Sequence, residues 1–405
     1  METPRAAEGA GPKGAFQTAA ELFFLLFVAT LPWSIAAMSI GLGLCAASTA
    51  LAWGVSRGAW RRHAPLFWPM LGWLLALTIA AVFAQDRAAS LPRIRKGFLP
   101  VLVWVAAWHG RKPAMGKRAL AVLLVSAAVA ASLGLVFWCF GLFTVGARAQ
   151  GAVGHYMTFG GQLLLWLPVA CGVALLARSA RWRIGALLGA ALGFAALAAT
   201  FTRSAWIGVA VALATMAAVA RPRWLPVFAA ALALLVVFAP AHYRARLWSS
   251  FDPSHPNNVE RRHMWEAGGR MFRDHPLTGV GLMDLHQIYE RYKDPAAREP
   301  AGHLHSDFVQ IAATMGIVGL LAFVFLYAGL FRAASAGLLE QVRSGGLAAG
   351  LRLGVSAALI GFLMAGFFEW NFGDEELLDL LYPLVGLAWA ARLWPEPPPR
   401  EGSAP

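Results

Sequence analysis

The chain has 405 residues, of which 59% are hydrophobic and 14% charged, with a formal net charge of +13. A soluble protein is about half apolar at most, so a soluble fold is excluded; the apolar runs here are long enough to cross a hydrocarbon core of roughly 30 Å. Cys45, Cys139 and Cys171 all lie in or beside those runs, which argues against a structural disulfide or a thiolate metal site in the polar loops.

Residues 1–16 are polar, with Arg5 and Lys13 as their cations, and the run after them lacks a small-residue cleavage site. It reads as a retained first helix and not a signal peptide. The apolar runs predict an all-α, polytopic membrane protein with about twelve spans. They fall at 17–37, 39–56, 65–84, 97–109, 119–142, 156–177, 184–200, 204–220, 224–241, 306–331, 351–370 and 376–393. The fourth is short, with room for an amphipathic stretch ahead of it. Helices 1–9 then occupy 1–241, a large loop with amphipathic helices occupies 242–305, and helices 10–12 occupy 306–393. A Pro-rich tail over 394–405 is expected to be disordered and cytoplasmic.

Twelve spans put both termini on one side, taken as the cytoplasm. Lys and Arg then divide 19 to 15 in favour of that side. The cytoplasmic loops are short and dense in cations, such as Arg57, Arg61 and Arg62, or Arg111, Lys112, Lys117 and Arg118. One short translocated loop breaks the pattern with Arg87, Arg93, Arg95 and Lys96. Its cations suit lipid headgroups or an anionic ligand, phosphate being the obvious one.

Three segments carry residues suited to chemistry. In Thr202-Arg203-Ser204-Ala205-Trp206-Ile207-Gly208, Arg203 sits where a membrane helix starts, with no acidic residue close in sequence. Free N–H groups and the positive dipole end favour an anion there, although an arginine also snorkels readily at such a depth. In 257–273, Arg262, Glu266, Arg270 and Arg273 share one helical face and Trp265 and Phe272 another. This predicts a surface-lying helix with a cationic stripe, or a solvated face in which Glu266 pairs with Arg262 and Arg270. In Gly302-His303-Leu304-His305-Ser306-Asp307, the spacing of Asp307 and Gln310 predicts a capping box, which sets His305 just ahead of a helix N-terminus. A neutral imidazole there is a competent general base. The His-x-His pattern also permits a metal site with His286 or Asp284, but no acidic pair accompanies it and no metal or other cofactor is expected.

Together these segments suggest chemistry on a lipid-linked phosphate outside the cytoplasm, and the sequence resembles the O-antigen ligase family, within the wider group of O-antigen ligases and polymerases. The resemblance spans most of the chain. It rests on Thr202–Gly208, on 262–281 ending His275-Pro276-Leu277-Thr278-Gly279-Val280-Gly281, and on His305-Ser306 with nine residues before Gly316. The family pattern continues with Thr three residues on, where this chain has Gly319.

The resemblance implies a membrane glycosyltransferase of lipopolysaccharide synthesis in the Gram-negative inner membrane, with its active site on the periplasmic face. Such enzymes move a glycan from undecaprenyl diphosphate to a sugar hydroxyl of lipid A core. It implies His305 as the essential histidine, supported by His303, and Arg203, Arg262 and, less directly, Arg270 as diphosphate contacts. Arg93, Arg95 and Lys96 are assigned to anion or lipid A phosphate on charge alone. Membrane lipids are the other expected partners, and no nucleic acid is expected. One displacement with His305 as base predicts inversion without a metal.

The competing readings are an O-antigen polymerase and a non-enzymatic transporter of lipid-linked sugars. No arginine in 242–305 has a glycine sixteen positions on, the spacing seen in some polymerases. The spans are nearly uncharged apart from Glu369, which disfavours a polar transport path. Glu369, Asp374, Glu375 and Glu376 could orient His305, anchor the acceptor or pair with 93–96.

Overall fold

The computed structural model describes residues 12–53, 66–142, 144–145 and 147–395. The loop cations Arg57, Arg61 and Arg62 and the tail beyond 395 lie outside the described residues.

Among the described residues, every predicted span overlaps a helix. In chain order the helices are α1 (Pro12–Thr30), α2 (Ile35–Trp53), α3 (Phe67–Val82), α4 (Arg87–Ser90), α5 (Val101–Gly110) and α6 (Pro113–Cys139). A two-stranded antiparallel ribbon, β1 (Thr144–Val145) and β2 (Arg148–Ala149), precedes α7 (Tyr156–Leu176), α8 (Ala180–Thr200), α9 (Arg203–Ala220) and α10 (Leu225–Phe238). The long loop holds α11 (Ala241–Trp248), α12 (Pro256–Asp274) and α13 (His286–Tyr292). The chain closes with α14 (Asp307–Ser335), α15 (Leu338–Ser344), α16 (Leu347–Ala365) and α17 (Glu375–Ala390).

The count of twelve crossings is not established. Among the described residues, seven helices are long and apolar enough to cross a membrane, or eight if the pair Pro222–Phe238 and Ala241–Trp248, bent by 114°, is one span. The physical reason is length. α5 has 10 residues, α10 has 14 and α17 has 16, against about 20 for a full crossing. α5 is lengthened on its N-terminal side by a 3-10 helix at Leu91–Phe98, where the sequence reading allowed an amphipathic start.

α16 lies at the centre, packed by α7, α9, α14 and α17. Small residues make this possible. A Cβ on Gly208 would lie 2.7 Å from the Gly361 carbonyl oxygen, and one on Gly172 would lie 2.2 Å from that of Gly350. Without side chains there, the backbones of α9 and α7 meet α16 directly, the usual basis of helix packing in lipid. At the end of α16 away from residues 366–374, fully buried Arg352 donates to the carbonyls of Ala334 and Ala336. Its charge is spent on the free carbonyls at the C-terminus of α14.

α14 is broken at Gly316, where φ is 63° and ψ −159°. The segment from Pro276 to Gly281 fills the break. Ile317 N–H donates to the Pro276 carbonyl at 2.8 Å, while Val280 and Gly281 donate to Ala313 and Thr314 at 2.9 and 3.0 Å. A Cβ on Gly316 would lie 2.4 Å from Leu277 backbone, and one on Gly279 (φ +66°) 2.2 Å from Thr314 backbone. Two motif glycines far apart in sequence thus serve one joint. Gly316→Ala should lower stability by about 1–3 kcal/mol, from left-handed strain and the clash. The check is a melting temperature in detergent, with Gly269→Ala as control because a Cβ there meets nothing within 4 Å. Equal melting of the two variants would show that the break does not depend on glycine.

Candidate functional site

The site forms where α14 begins. Ser306, not Asp307, is the N-cap, accepting from Val309 N–H at 3.5 Å. Gln310 reaches back to accept from Leu304 N–H at 2.8 Å, so the capping-box logic holds with its register moved. Asp307 does different work. Its carboxylate accepts from Phe372 N–H at 2.8 Å and its N–H donates to the Gly366 carbonyl at 2.7 Å. That pins the segment between α16 and α17 beside the histidines and presents Glu369 to them. Trp265 of α12 holds the other side, donating from Nε1 to the Leu304 carbonyl at 3.0 Å.

Held from both sides, His305 takes φ 47°. Left-handed backbone is uncommon for a residue with a Cβ, and such strain gathers at functional sites. Its Nδ1 lies 2.8 Å from Glu369 Oε1, and Arg261 Nη2 lies 3.3 Å from Glu369 Oε2. Burial would raise the Glu369 carboxyl, but the hydrogen bond from His305 and the charge of Arg261 outweigh it and hold it down to about 2. A carboxylate acceptor at Nδ1 fixes the tautomer with Nε2 free as a base. The His303 ring sits 4.2 Å from that of His305, and burial lowers it to about 4. His303 is therefore neutral at pH 7.

A cationic cluster adjoins this trio. Arg203 stands at the start of α9, fixed by the motif around it. Thr202 Oγ1 donates to the Tyr156 carbonyl at 3.1 Å, Trp206 Nε1 donates to the Leu197 carbonyl at 2.9 Å, and Gly208 seats the helix on α16. The bend after α10 carries α11 back over this turn, where Tyr243 stacks on Phe201 at 4.8 Å. That brings in Arg246. The charges acting on Arg203 are those of Arg246, Arg261 and Arg148, in that order. Arg203 Nη1 donates to Ser249 Oγ at 3.0 Å, Arg148 lies 4.5 Å over the Tyr156 ring, and buried Arg246 Nε has no hydrogen-bond partner. Arg203, Arg246, Arg261 and Arg148 lie near enough to act on one another electrostatically, and among the described residues only Arg261 is paired with a carboxylate, an arrangement that suits a multivalent anion.

The other expected contacts are placed elsewhere. Arg262 is on the outer face of α12, 4.0 Å from Glu266, with its side chain 56% exposed; the residue turned to Glu369 is its neighbour Arg261. Arg270 donates from Nε to the Tyr292 carbonyl at 2.8 Å and packs toward α13. Arg95 and Lys96 pair with Glu375 at 3.3 and 3.4 Å, and Lys96 also donates to the Gly373 carbonyl. Arg93 acts on Asp284. The sequence reading named neither Arg148 nor Arg246, which lie in no motif, and it gave the contact in α12 to Arg262, whereas the residue beside Glu369 is Arg261.

Among the described residues, His303, His305 and Glu369 offer ligand atoms within 4.8 Å of one another, as do His263, Glu266 and Asp294. The residue that completes the first trio is Glu369, not Asp284 or His286. Arg261 already occupies one Glu369 oxygen, and the arginine cluster opposes a further cation.

Residues 188–324 match the family model described as O-antigen ligase. The matched segment runs from within α8 to past the break in α14, and includes Arg203, Arg246, Arg261, His303 and His305. No curated protein matches the chain. The match covers about a third of the chain, and over that stretch the protein is similar to the O-antigen ligase family.

Proposed function

We propose that the chain is an O-antigen ligase, transferring a glycan from undecaprenyl diphosphate to a sugar hydroxyl of lipid A core at the periplasmic face of the inner membrane. The observation that carries this reading is the pairing of His305 with Glu369 at 2.8 Å beside the four-arginine cluster. Such a pair holds a base, and such a cluster stabilises a diphosphate leaving group.

In one displacement the acceptor oxygen attacks the anomeric carbon and its proton passes to His305 Nε2. The carbon–oxygen bond to the diphosphate breaks, and its electron pair leaves with undecaprenyl diphosphate. The leaving group gains negative charge, so Arg203, Arg246, Arg261 and Arg148 serve it better than a proton donor would. Glu369 is a positioning residue that compensates the imidazolium. Attack opposite the leaving group inverts the anomeric centre. Arg262 and Arg270 are left with supporting roles in α12, and Arg95 and Lys96 anchor the α17 end through Glu375.

The test is transfer by purified protein in detergent, given undecaprenyl-diphosphate-linked glycan and lipid A core, without nucleotide and with a strong chelator. Glycan-bearing lipid A is the expected product. Longer undecaprenyl-linked glycan alone would make the protein a polymerase, and no product would favour transport. Activity that the chelator removes and a divalent metal restores would reassign His303, His305 and Glu369 as ligands.

A further inference from the structure

The segment 292–299, which follows α13, runs back along α12 and is fastened to it at both ends. At one end Arg270 Nε donates to the Tyr292 carbonyl at 2.8 Å. At the other the Glu260 carboxylate accepts from the N–H groups of Arg298 and Glu299 at 3.2 and 3.3 Å. Between these points His263 and Glu266, three residues apart on one face of α12, meet Asp294 of the segment. Each of the three offers a ligand atom, and these atoms lie within 4.8 Å of one another.

Their other contacts leave ligand atoms to spare. His263 Nδ1 is buried and has no hydrogen-bond partner, a state that calls for one. Asp294 Oδ1 accepts from Ala296 N–H at 2.8 Å, which turns the chain and leaves the second carboxylate oxygen. Among the described residues Glu266 pairs only with Arg262, 4.0 Å away, and both side chains are about half exposed. Such a pair is worth little in water, so a stronger ligand displaces it. Lys293, next to Asp294, is already paired with Glu290 at 2.6 Å.

The donor set indicates the ion. Calcium and magnesium prefer oxygen ligands throughout, whereas an imidazole with carboxylates suits a first-row divalent ion such as zinc. Zinc bonds of about 2.0–2.2 Å place ligand atoms about 3–4 Å apart, a closure that the exposed Glu266 side chain can make by rotation. Water completes the shell. Two ligands come from a helix in fixed register and the third from the segment after α13, so the ion closes a loop of chain between them.

We propose that His263, Glu266 and Asp294 bind one zinc-class divalent cation, which clasps the middle of segment 292–299 to α12. The site is separate from His303, His305 and Glu369, and it stands independently of the transferase reading. The ion touches no group assigned to the reaction, so transfer in the presence of a chelator remains the expectation.

The experiment is calorimetric titration of Zn²⁺ into purified full-length protein, without a histidine tag, in detergent and after chelator treatment. Wild type should bind one ion that the ligand variants lose, and zinc should raise its Tm. His263→Ala and Asp294→Asn should each weaken binding by about tenfold or more, since even an outer-shell partner is worth that much. Asparagine keeps an acceptor for Ala296 N–H, so Asp294→Asn should melt like wild type without zinc. His303→Ala should bind zinc as wild type does. Zinc should also slow tryptic cleavage after Arg298 in wild type but not in Asp294→Asn. The proposal is overturned if zinc does not bind, or if it binds both ligand variants as tightly as wild type. It is overturned equally if His303→Ala alone loses the ion, which would move it to the histidine pair.

Discussion

His305→Ala should abolish glycan transfer while the protein still inserts and folds, a loss of about 10³-fold or more if the base supplies the usual share of the rate. The reasoning is local. His305 lies 2.8 Å from the Glu369 carboxylate through Nδ1, so Nε2 is its only remaining base. His303 is a poor substitute, since burial lowers it to about 4 and leaves it weakly basic. The left-handed backbone at His305 complicates an alanine variant, because any change there could disturb the turn. His305→Asn answers this, as asparagine tolerates φ > 0 and carries no base. Both variants should be inactive, and the asparagine variant should melt near wild type. Glu369→Gln tests the partner. It retains the size of the side chain but loses the charge, and should lower kcat far more than it changes either KM. Wild-type turnover in either His305 variant would remove the histidine from the mechanism.

Arg203→Lys should lose about 10²-fold in kcat although the positive charge remains. A guanidinium offers a planar fork that grips two oxygens of a diphosphate, and an ammonium offers a point charge. The surroundings sharpen the difference. Arg203 is aimed by Ser249 at 3.0 Å and stands within the field of Arg246, Arg261 and Arg148, so it is held in place and not free to swing. Within α12 the expected ranking follows from geometry. Arg261→Gln, which also frees Glu369, should cost much more than Arg262→Gln, whose side chain faces solvent beside Glu266. Steady-state kinetics on the three variants decides the matter. Full activity in Arg203→Lys would demote Arg203 to a snorkelling anchor, and a reversed order within α12 would move the diphosphate to the other face of the helix.

Much of this is legible in the sequence, and the parts that are not share a cause. Helix positions follow from runs of apolar residues, a local property, so each predicted stretch is helical. The number of crossings depends on where polar ends settle, and short helices such as α5 and α10 leave that open. His305 was visible because its motif and the helix start beside it lie within a few residues. Its partner Glu369 is 64 residues away, and only the clamp made by Asp307 brings it near. Periodicity correctly placed Arg262 and Glu266 on one face of α12, but periodicity does not say which face docks, and the docked one carries Arg261. The basic loop was seen as an anomaly of charge. The sequence offered Glu375 as a partner for it among other uses of the acidic residues, and choosing that use needed the structure, since Glu375 is 280 residues from Arg95.

The joint between the segment Pro276–Gly281 and the break at Gly316 bears on how the molecule is made. Backbone amides and carbonyls exposed to lipid cost several kcal/mol each, and a helix broken at its tenth residue has several to satisfy. Here their partners come from a segment that precedes α14 in the chain, so it leaves the ribosome first. By the time the hydrophobic stretch after Gly316 enters the bilayer, the groups that complete it are already waiting at its end. The order of synthesis is thereby part of the folding instructions: the same residues rearranged to place that segment after α14 would ask the broken helix to enter lipid unfinished.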